Sequence, residues 1–379
     1  MKNNIYLDNC STTPLSKYVK TEMIAAMNED YKNPSSLHRL GITSEKAMEK
    51  ALKSVSTLMN AMPNKVFFTS GGTESNNMAI FQVAKARKRN VKIALTMADH
   101  PSITETVKAY GIETYILPID RFGVIKLEEI ELPEHLDMII ITHVHNEIGS
   151  IQPMYEICKA VRKKYPTTHI HADCVQSYGK FKLHPEDWDI DTMSVSSHKI
   201  HGPKGIGAIY IKNPNKTSPF IVGGLQQRGL RGGTENILGI VGFGAAAEER
   251  LQYLESNLEK VALLKRTFMN ILEDADIEYH VNSSENGTPY ILSLSIPNAK
   301  GEVILHMMEE RGIYISTSSA CSSKSSHARK PLDVMGISRD RIEGTIRICF
   351  NEQLTEKEVT IAATELVKCI RTYNQWMGR

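Results

Sequence analysis

No part of this 379-residue chain stays apolar for long. The longest runs, such as MIIIT at 138–142, fall far short of the ~20 residues a membrane-spanning helix requires, so no span is expected. The amino-terminal MKNNIYLDNCSTTP has no apolar core of the kind a secretion signal carries, which makes the cytoplasm the expected compartment. An excess of charge is missing as well. The 45 basic and 43 acidic residues leave a net charge of +2, and no long basic block occurs, so no direct nucleic-acid footprint is expected. C-x-x-C pairs are absent. The six cysteines (Cys10, Cys158, Cys174, Cys321, Cys349 and Cys369) read as free thiols rather than as a disulfide framework. No internal repeat is found.

The composition, 41% hydrophobic and 23% charged, is that of an ordinary globular protein, and the length suits two or three domains. From about residue 16 to 260, helical and strand patterns alternate. Helical periodicity marks 44–59 and 73–88. Strand-like runs occupy 65–70, 91–97, 113–119, 136–144 and 168–173, and the segments between them mostly read as helices. Such alternation argues a parallel sheet covered on both faces. A long helix is expected over about 235–274. After it come strands at 290–297, 312–316 and 344–350, with helices at about 301–311 and 355–374, which reads as a smaller α+β domain.

Two stretches raise chemical questions. STSSACSSKSSHARK (316–330) places Cys321 in a serine-rich run that cannot bury an apolar face and reads as a mobile surface loop. In DIDTMSVSSHKIHGPKGIGAIYI (189–211), a strand ends at Ser196–Lys199, and a glycine turn leads into a second strand. A dinucleotide loop needs strand, glycines, then helix, so the order is wrong for one. Lys199 is either a solvated lysine or one that carries an aldehyde cofactor as a Schiff base. Pyridoxal phosphate would also need N–H groups at a helix start, a carboxylate for its ring nitrogen and a stacking partner. Candidates for all three exist. FTSGGTESNN (68–77) is strand, glycine turn, helix, with Gly72 and Thr73 at the turn. HADCVQS (171–177) ends a strand in Asp173, which alone would read as a helix cap. TMADHPS (96–102) puts His100 at another strand end. Their agreement counts for more than any one motif.

With these motifs in place, the sequence resembles cysteine desulfurases of the NifS/IscS type, in the class V aminotransferase group of fold-type I pyridoxal-phosphate enzymes. YLDNCSTTP, NPSSLH, FTSGGTESNN, DHPS, HNEIGSIQP, HADCVQSYGK, SSHKIHGPKGIGA, GGLQQRGLRGGTEN, SSACSS and TIRICF occur in order along nearly the whole chain. The resemblance implies an α/β fold: a large domain (16–260) with a mostly parallel seven-stranded sheet between helices, and a small α+β domain (1–15 and 261–379) carrying the cysteine loop. It implies that Lys199 bonds the cofactor, Asp173 pairs with the ring nitrogen, Gln176 donates toward the ring oxygen and His100 stacks on the ring. Gly72, Thr73, Ser196 and His198 would hold the phosphate. Thr234 would reach the phosphate of the second subunit of a homodimer. Asn146 and Arg347 would bind the substrate carboxylate, and Asn33 would lie near the site. Cys321 would take the sulfur of L-cysteine as a persulfide, releasing L-alanine. The sulfur would go to an acceptor protein, in iron–sulfur cluster assembly or tRNA thiolation.

Departures from the pattern are mild. Cys10 stands where alanine is usual, Cys174 where a small residue is common, Ser197 where glycine is usual and His145 where asparagine is frequent. Three other readings compete. A selenocysteine lyase or cysteine sulfinate desulfinase would differ only in substrate. A sulfur-carrier subunit would keep the fold without the chemistry. A metallohydrolase would use the His-x-His spacings of His143/His145 or His169/His171, but would leave Lys199 and the glycine turn unexplained.

Overall fold

The structure is a computed structural model, and it describes residues 4–86, 90–317 and 331–378. Cys321 and the Lys324, His327, Arg329 and Lys330 that follow it lie outside the described residues. The chain opens with strand β1 (Ile5–Tyr6) and helices α1 (Lys17–Glu29) and α2 (Arg39–Leu58). The alternating region then follows: β2 (Val66–Thr69), α3 (Gly72–Ala86), β3 (Lys92–Leu95), α4 (Pro101–Ala109), β4 (Glu113–Ile116), β5 (Met138–Thr142), α5 (Met154–Lys164), β6 (His169–Asp173), β7 (Thr192–Ser196) and β8 (Gly207–Ile211). The long helix α6 (Ile237–Glu273) leads to β9 (His280–Val281), β10 (Ile291–Ser295), α7 (Gly301–Glu309), β11 (Ile313–Tyr314), β12 (Ser316–Thr317), α8 (Pro331–Val334), α9 (Arg339–Glu343), β13 (Thr345–Cys349) and α10 (Glu356–Trp376).

The seven-stranded sheet has the order β2-β8-β7-β6-β5-β3-β4. Strand β8 runs antiparallel to both its neighbours, and the other pairs are parallel. Alternate residues of each strand enter different cores. Ile139 and Ile141 pack with Val55, Val161 and Phe243 on one face, while Met138 and Ile140 pack with Ile80, Ile103 and Val107 on the other. Burial on both faces accounts for the near-continuous apolar runs in the sequence. Each such side chain contributes roughly 1.5–3 kcal/mol.

A second main core gathers β10, β13, α7 and α10 around Phe268, Leu292, Ile348 and Leu366. Helix α6 serves both: Ile240 and Phe243 belong to the first core, and Val261, Leu264 and Phe268 to the second. It departs from helical geometry at Tyr253, between the two halves. Asn236 caps its start through Gly239 N–H (3.1 Å), and Thr355 with Glu358 forms a capping box on α10.

Two connections differ from the helices read in the sequence. Residues 117–137 hold one short 3-10 turn, Leu127–Glu129, and residues 174–191 are turns. Gly123 (φ 78°) and Gly179 (φ 67°) stand in left-handed backbone there, which stops a helix from propagating. The strand read at 312–316 is two strands: β11 pairs with β1, and β12 pairs with β13. Among the described residues, no helix is long and apolar enough to cross a membrane.

Candidate active site

The carboxyl ends of β7, β6, β5 and β3 lie side by side, and side chains just beyond them line a cavity of about 330 Å³. An open α/β sheet offers its binding crevice at this edge. Strand β6 delivers Asp173, then Val175 and Gln176. Strand β7 delivers Ser196, then His198 and Lys199. Thr142 ends β5, with Val144 and Asn146 beyond it, and His100 follows β3. Gly72, Thr73 and Asn76 open α3 on the same cavity. Cys10, Ser11 and Arg347 close it from the other side, Arg347 on β13.

Lys199 Nζ donates to the carbonyls of Cys10 and Ser11, the latter at 2.8 Å. Desolvation holds its pKa down at about 8; the Cys10 thiol opposes this, and the positive charges of Lys180 and Arg347 add to it. A lysine so placed reaches its nucleophilic neutral form near neutral pH.

Asp173 is buried, and both its oxygens are held. Asn76 Nδ2 donates to Oδ2 at 2.8 Å, and Val175 N–H donates to Oδ1 at 3.0 Å. Asn76 is held in turn, since its Oδ1 lies 2.9 Å from His171 Nε2, whose other nitrogen lies 2.9 Å from Thr192 Oγ1. Burial lowers the pKa of His171 to about 3, so this imidazole is neutral.

His100 caps α4: Ser102 N–H donates to its Nδ1 at 3.1 Å, which leaves the proton of the neutral ring on Nε2. Desolvation lowers its pKa; the Asp173 charge works against this and Lys199 with it. The turn before it is pinned by Asp99, which accepts Thr96 N–H (2.7 Å) and Thr142 Oγ1–H (2.5 Å). Burial raises this carboxyl to about 6 in spite of those bonds.

At the start of α3, the first N–H groups have no partner within the helix and open on the cavity at Gly72 and Thr73. The turn lies tight on its surroundings. A Cβ at Gly72 would stand 2.6 Å from Val175 Cγ2, and one at Gly207 would stand 2.7 Å from Gly71 Cα. The glycines therefore let the turn seat between β8 and the loop after β6.

Arg347 is buried. It donates to Asn146 O (3.0 Å), Asp8 Oδ1 (2.8 Å) and Ser11 Oγ (2.8 Å), and its Nε is buried without a partner. Gln176 Nε2 donates to Cys10 O at 2.9 Å, and its Oε1 accepts Lys180 Nζ at 3.2 Å.

The structure thus brings Gly72, Thr73, His100, Asn146, Asp173, Gln176, Ser196, His198, Lys199 and Arg347 to one cavity. Asn33 and Thr234 do not line it and are exposed. Cys321 falls outside the described residues. Sequence reading missed Asn76, Asp99 and Ser11. Asn76 alone left a signal, since it follows Thr73 by three residues and so shares its helix face. The four histidines of the His-x-His spacings point elsewhere. His143 packs edge-on to Trp188 (5.0 Å), His145 Nε2–H donates to Ala98 O (2.8 Å), and His169 Nε2 and His171 Nδ1 both contact Thr192 Oγ1. Among the described residues, no three His, Cys, Asp or Glu side chains converge as a metal-holding group.

Known proteins similar to this chain share its fold. The family model for class-V aminotransferases matches residues 5–361. The cysteine desulfurase IscS of Dictyoglomus turgidum is 34% identical over 98% of this chain and 95% of its own. A solved NifS-like protein is 35% identical with a TM-score of 0.91, over 97% of this chain and all of the other. A structure of SspA in complex with cysteine is 28% identical with a TM-score of 0.81, over 92% and 99% of the two chains.

Proposed function

This chain belongs to the class-V aminotransferase family, and from that premise we propose how its residues divide the work of a pyridoxal-phosphate-dependent cysteine desulfurase. The net reaction takes L-cysteine and an enzyme thiol to L-alanine and an enzyme persulfide. The observation that carries the reading is the meeting, at one cavity, of a lysine of lowered pKa, a buried carboxylate and an open helix start.

The donor set fits the cofactor. The N–H groups at Gly72 and Thr73, the hydroxyls of Thr73 and Ser196 and the His198 imidazole would hold its phosphate. Asp173 would pair with its ring nitrogen, His100 would lie against the ring, and Gln176 would face the ring oxygen. Bound there, the cofactor supplies an aldehyde for an amine and a ring that takes up the electron pair left by a departing Cα proton. Lys199 first anchors the cofactor, and its freed amine then takes that proton. Arg347 and Asn146 hold the substrate carboxylate, the planar guanidinium meeting it two-pronged. Cys321 forms the S–S bond as the substrate's carbon–sulfur bond breaks.

The second subunit is part of the same reading. Ile24, Met27, Tyr31 and Leu37 on and after α1, and Val222 and Leu225 on the loop before Thr234, are exposed apolar side chains. The segments around Pro34 and Leu225 adjoin across a shared cleft. A patch of this kind suits a partner surface. A second copy seated there would bury it and bring the Thr234 loop toward the other active site. The sulfur would pass on to an acceptor protein serving iron–sulfur cluster assembly or tRNA thiolation.

The test is a visible absorption scan of the purified protein before and after L-cysteine with a thiol reductant, with alanine and sulfide assayed together. Visible absorbance that Lys199→Ala abolishes, with alanine and sulfide formed in equal amounts, is the expected result. Full turnover by Cys321→Ser would remove Cys321 from the scheme, and a protein that stays colourless with added pyridoxal phosphate would sink it.

A further inference from the structure

Gln176 lines the cavity, and Lys180, which does not, holds it from outside. Lys180 is 5% exposed, and its Nζ donates to Gln176 Oε1 at 3.2 Å. The turn after β6 brings the two together. Tyr178 N–H donates to Cys174 O (2.9 Å) and Lys180 N–H to Ser177 O (3.0 Å). A Cβ at Gly179 would stand 2.8 Å from Ile200 Cγ2, so the turn packs against the residue that follows Lys199. The chain thus folds a lysine back onto the glutamine four positions before it. Lys180 Nζ also lies 5.2 Å from the centroid of the Tyr290 ring, which belongs to the second core and favours a cation there.

This contact decides which way the carboxamide faces. Its oxygen and nitrogen are alike in shape but opposite in hydrogen bonding. Lys180 supplies hydrogens on one side. On the other, Cys10 O only accepts, and it takes a Gln176 Nε2 hydrogen at 2.9 Å. Both partners therefore require Oε1 toward Lys180 and Nε2 toward Cys10. Lys199 Nζ donates to the same Cys10 carbonyl, so that side of the amide is shared with the residue that would bond the cofactor. Lys180 lies outside the cavity, and its hold does not depend on what occupies it. Desolvation lowers the pKa of Lys180; the Cys10 and Cys349 thiols and the Glu352 carboxylate work against this, and the Arg250 guanidinium works with it. A neutral amine would still donate to Oε1.

We propose that Lys180 is a positioning residue: it anchors Gln176 Oε1, so that the amide presents an N–H, and not its oxygen, toward the ring oxygen of bound pyridoxal phosphate. The inference rests on the reading above that Gln176 faces that oxygen. A donor there stabilises negative charge on the ring oxygen, and the proton on the Lys199 nitrogen joined to the cofactor is then held less tightly. Without the anchor the amide is free to turn its oxygen to the same place, and the proton is held more tightly.

The test is a pH titration of the visible absorbance of the holoenzyme, which follows the proton on that nitrogen and needs no turnover. Lys180→Met keeps the length of the side chain and buries no charge, so the fold should persist, which thermal unfolding checks. Its midpoint should rise by roughly 1 to 2 pH units, the worth of one hydrogen bond to a charged group. Gln176→Ala should move the midpoint the same way. Lys180→Met in the Gln176→Ala background should add nothing, because the lysine acts through the glutamine. Lys180→Arg, which still donates, should stay near the parent midpoint; a shift as large as that of Lys180→Met would mean that packing sets the midpoint, and would overturn the inference. If Gln176→Ala moves the midpoint and Lys180→Met does not, or if the double variant moves it further than Gln176→Ala alone, the inference fails and the proposed function stands. If Gln176→Ala leaves the midpoint in place, the role given to Gln176 falls and takes the inference with it.

Discussion

Asn76 Nδ2 lies 2.8 Å from Asp173 Oδ2, so the first turn of α3, which opens on the cavity, also holds the carboxylate at the end of β6. The same amide group is 2.8 Å from Ser102 Oγ, whose backbone N–H fixes the His100 ring. One side chain therefore couples the helix start, the carboxylate and the imidazole.

Asn76→Ala should loosen all three without emptying the site. A buried acceptor that loses its donor costs about 1–3 kcal/mol, or roughly 5- to 150-fold in the step it serves. Titration of the apoenzyme with pyridoxal phosphate, followed by visible absorbance, should show weaker binding and an altered spectrum. Unchanged affinity and spectrum would mean that Asp173 is held well enough by Val175 N–H.

The lowered pKa of Lys199 makes cofactor uptake pH-dependent. Its amine must be neutral to attack an aldehyde, and desolvation puts its titration at about 8. Below that pH the neutral fraction rises about tenfold per unit, and above it the fraction levels off. The rate of reconstitution should rise with pH up to about 8 and then flatten. The sign for stability is the same. Between about 8 and the ordinary value of 10.5, the unfolded chain binds the proton that the folded chain has lost, so Lys199 adds apoenzyme stability as pH rises through that window. Stopped-flow uptake across this range checks the first claim, and a rate that climbs steadily to pH 10 would contradict it.

Arg347→Lys should spare the fold and cofactor binding but weaken substrate binding. The guanidinium contacts Asp8, Ser11 and Asn146 at once, a geometry that an ammonium cannot copy. Loss of a charge-assisted bond worth about 1.5–3 kcal/mol should raise KM for L-cysteine by roughly 10- to 100-fold. A fall in kcat with KM unchanged would place Arg347 in the chemical step rather than in binding.

Gly207→Ala tests the seat of the turn before α3. The added Cβ would stand 2.6 Å from Val195 O and 2.7 Å from Gly71 Cα, both backbone atoms that cannot swing aside. Overpacking of this kind costs about 1–3 kcal/mol. Thermal unfolding should show a lower Tm, and pyridoxal phosphate should bind less tightly because the displaced turn carries the proposed phosphate donors. A loss of Tm with affinity intact would separate the seat from the phosphate site.

Lys199, Asp173 and His100 were legible because each stands at or just past the end of a strand, where the apolar run stops and local turn grammar begins. Gly72 and Thr73 were legible because a glycine turn opens a helix there. Asp99 and Ser11 carry no such mark. Asp99 reads as an ordinary turn carboxylate until Thr142, on another strand, closes on it. Ser11 meets Arg347, 336 positions away in the chain, and that meeting has no local signature. The same holds for residues 312–316. Their pattern shows extended chain, but which of two sheets each half joins depends on β1 and β13.

The order of residues alone was enough for the alternation of strands and helices, the long α6 and the candidate lysine Lys199, because those depend on periodicity and on chemistry within one turn of chain. The antiparallel placement of β8, the non-helical crossings at 117–137 and 174–191, the Asn76–Asp173 bond and the meeting of Ser11 with Arg347 came from folding in three dimensions. Each depends on which distant segments share a face and on what burial then does to their polar groups, and neither is written in any single stretch of the chain.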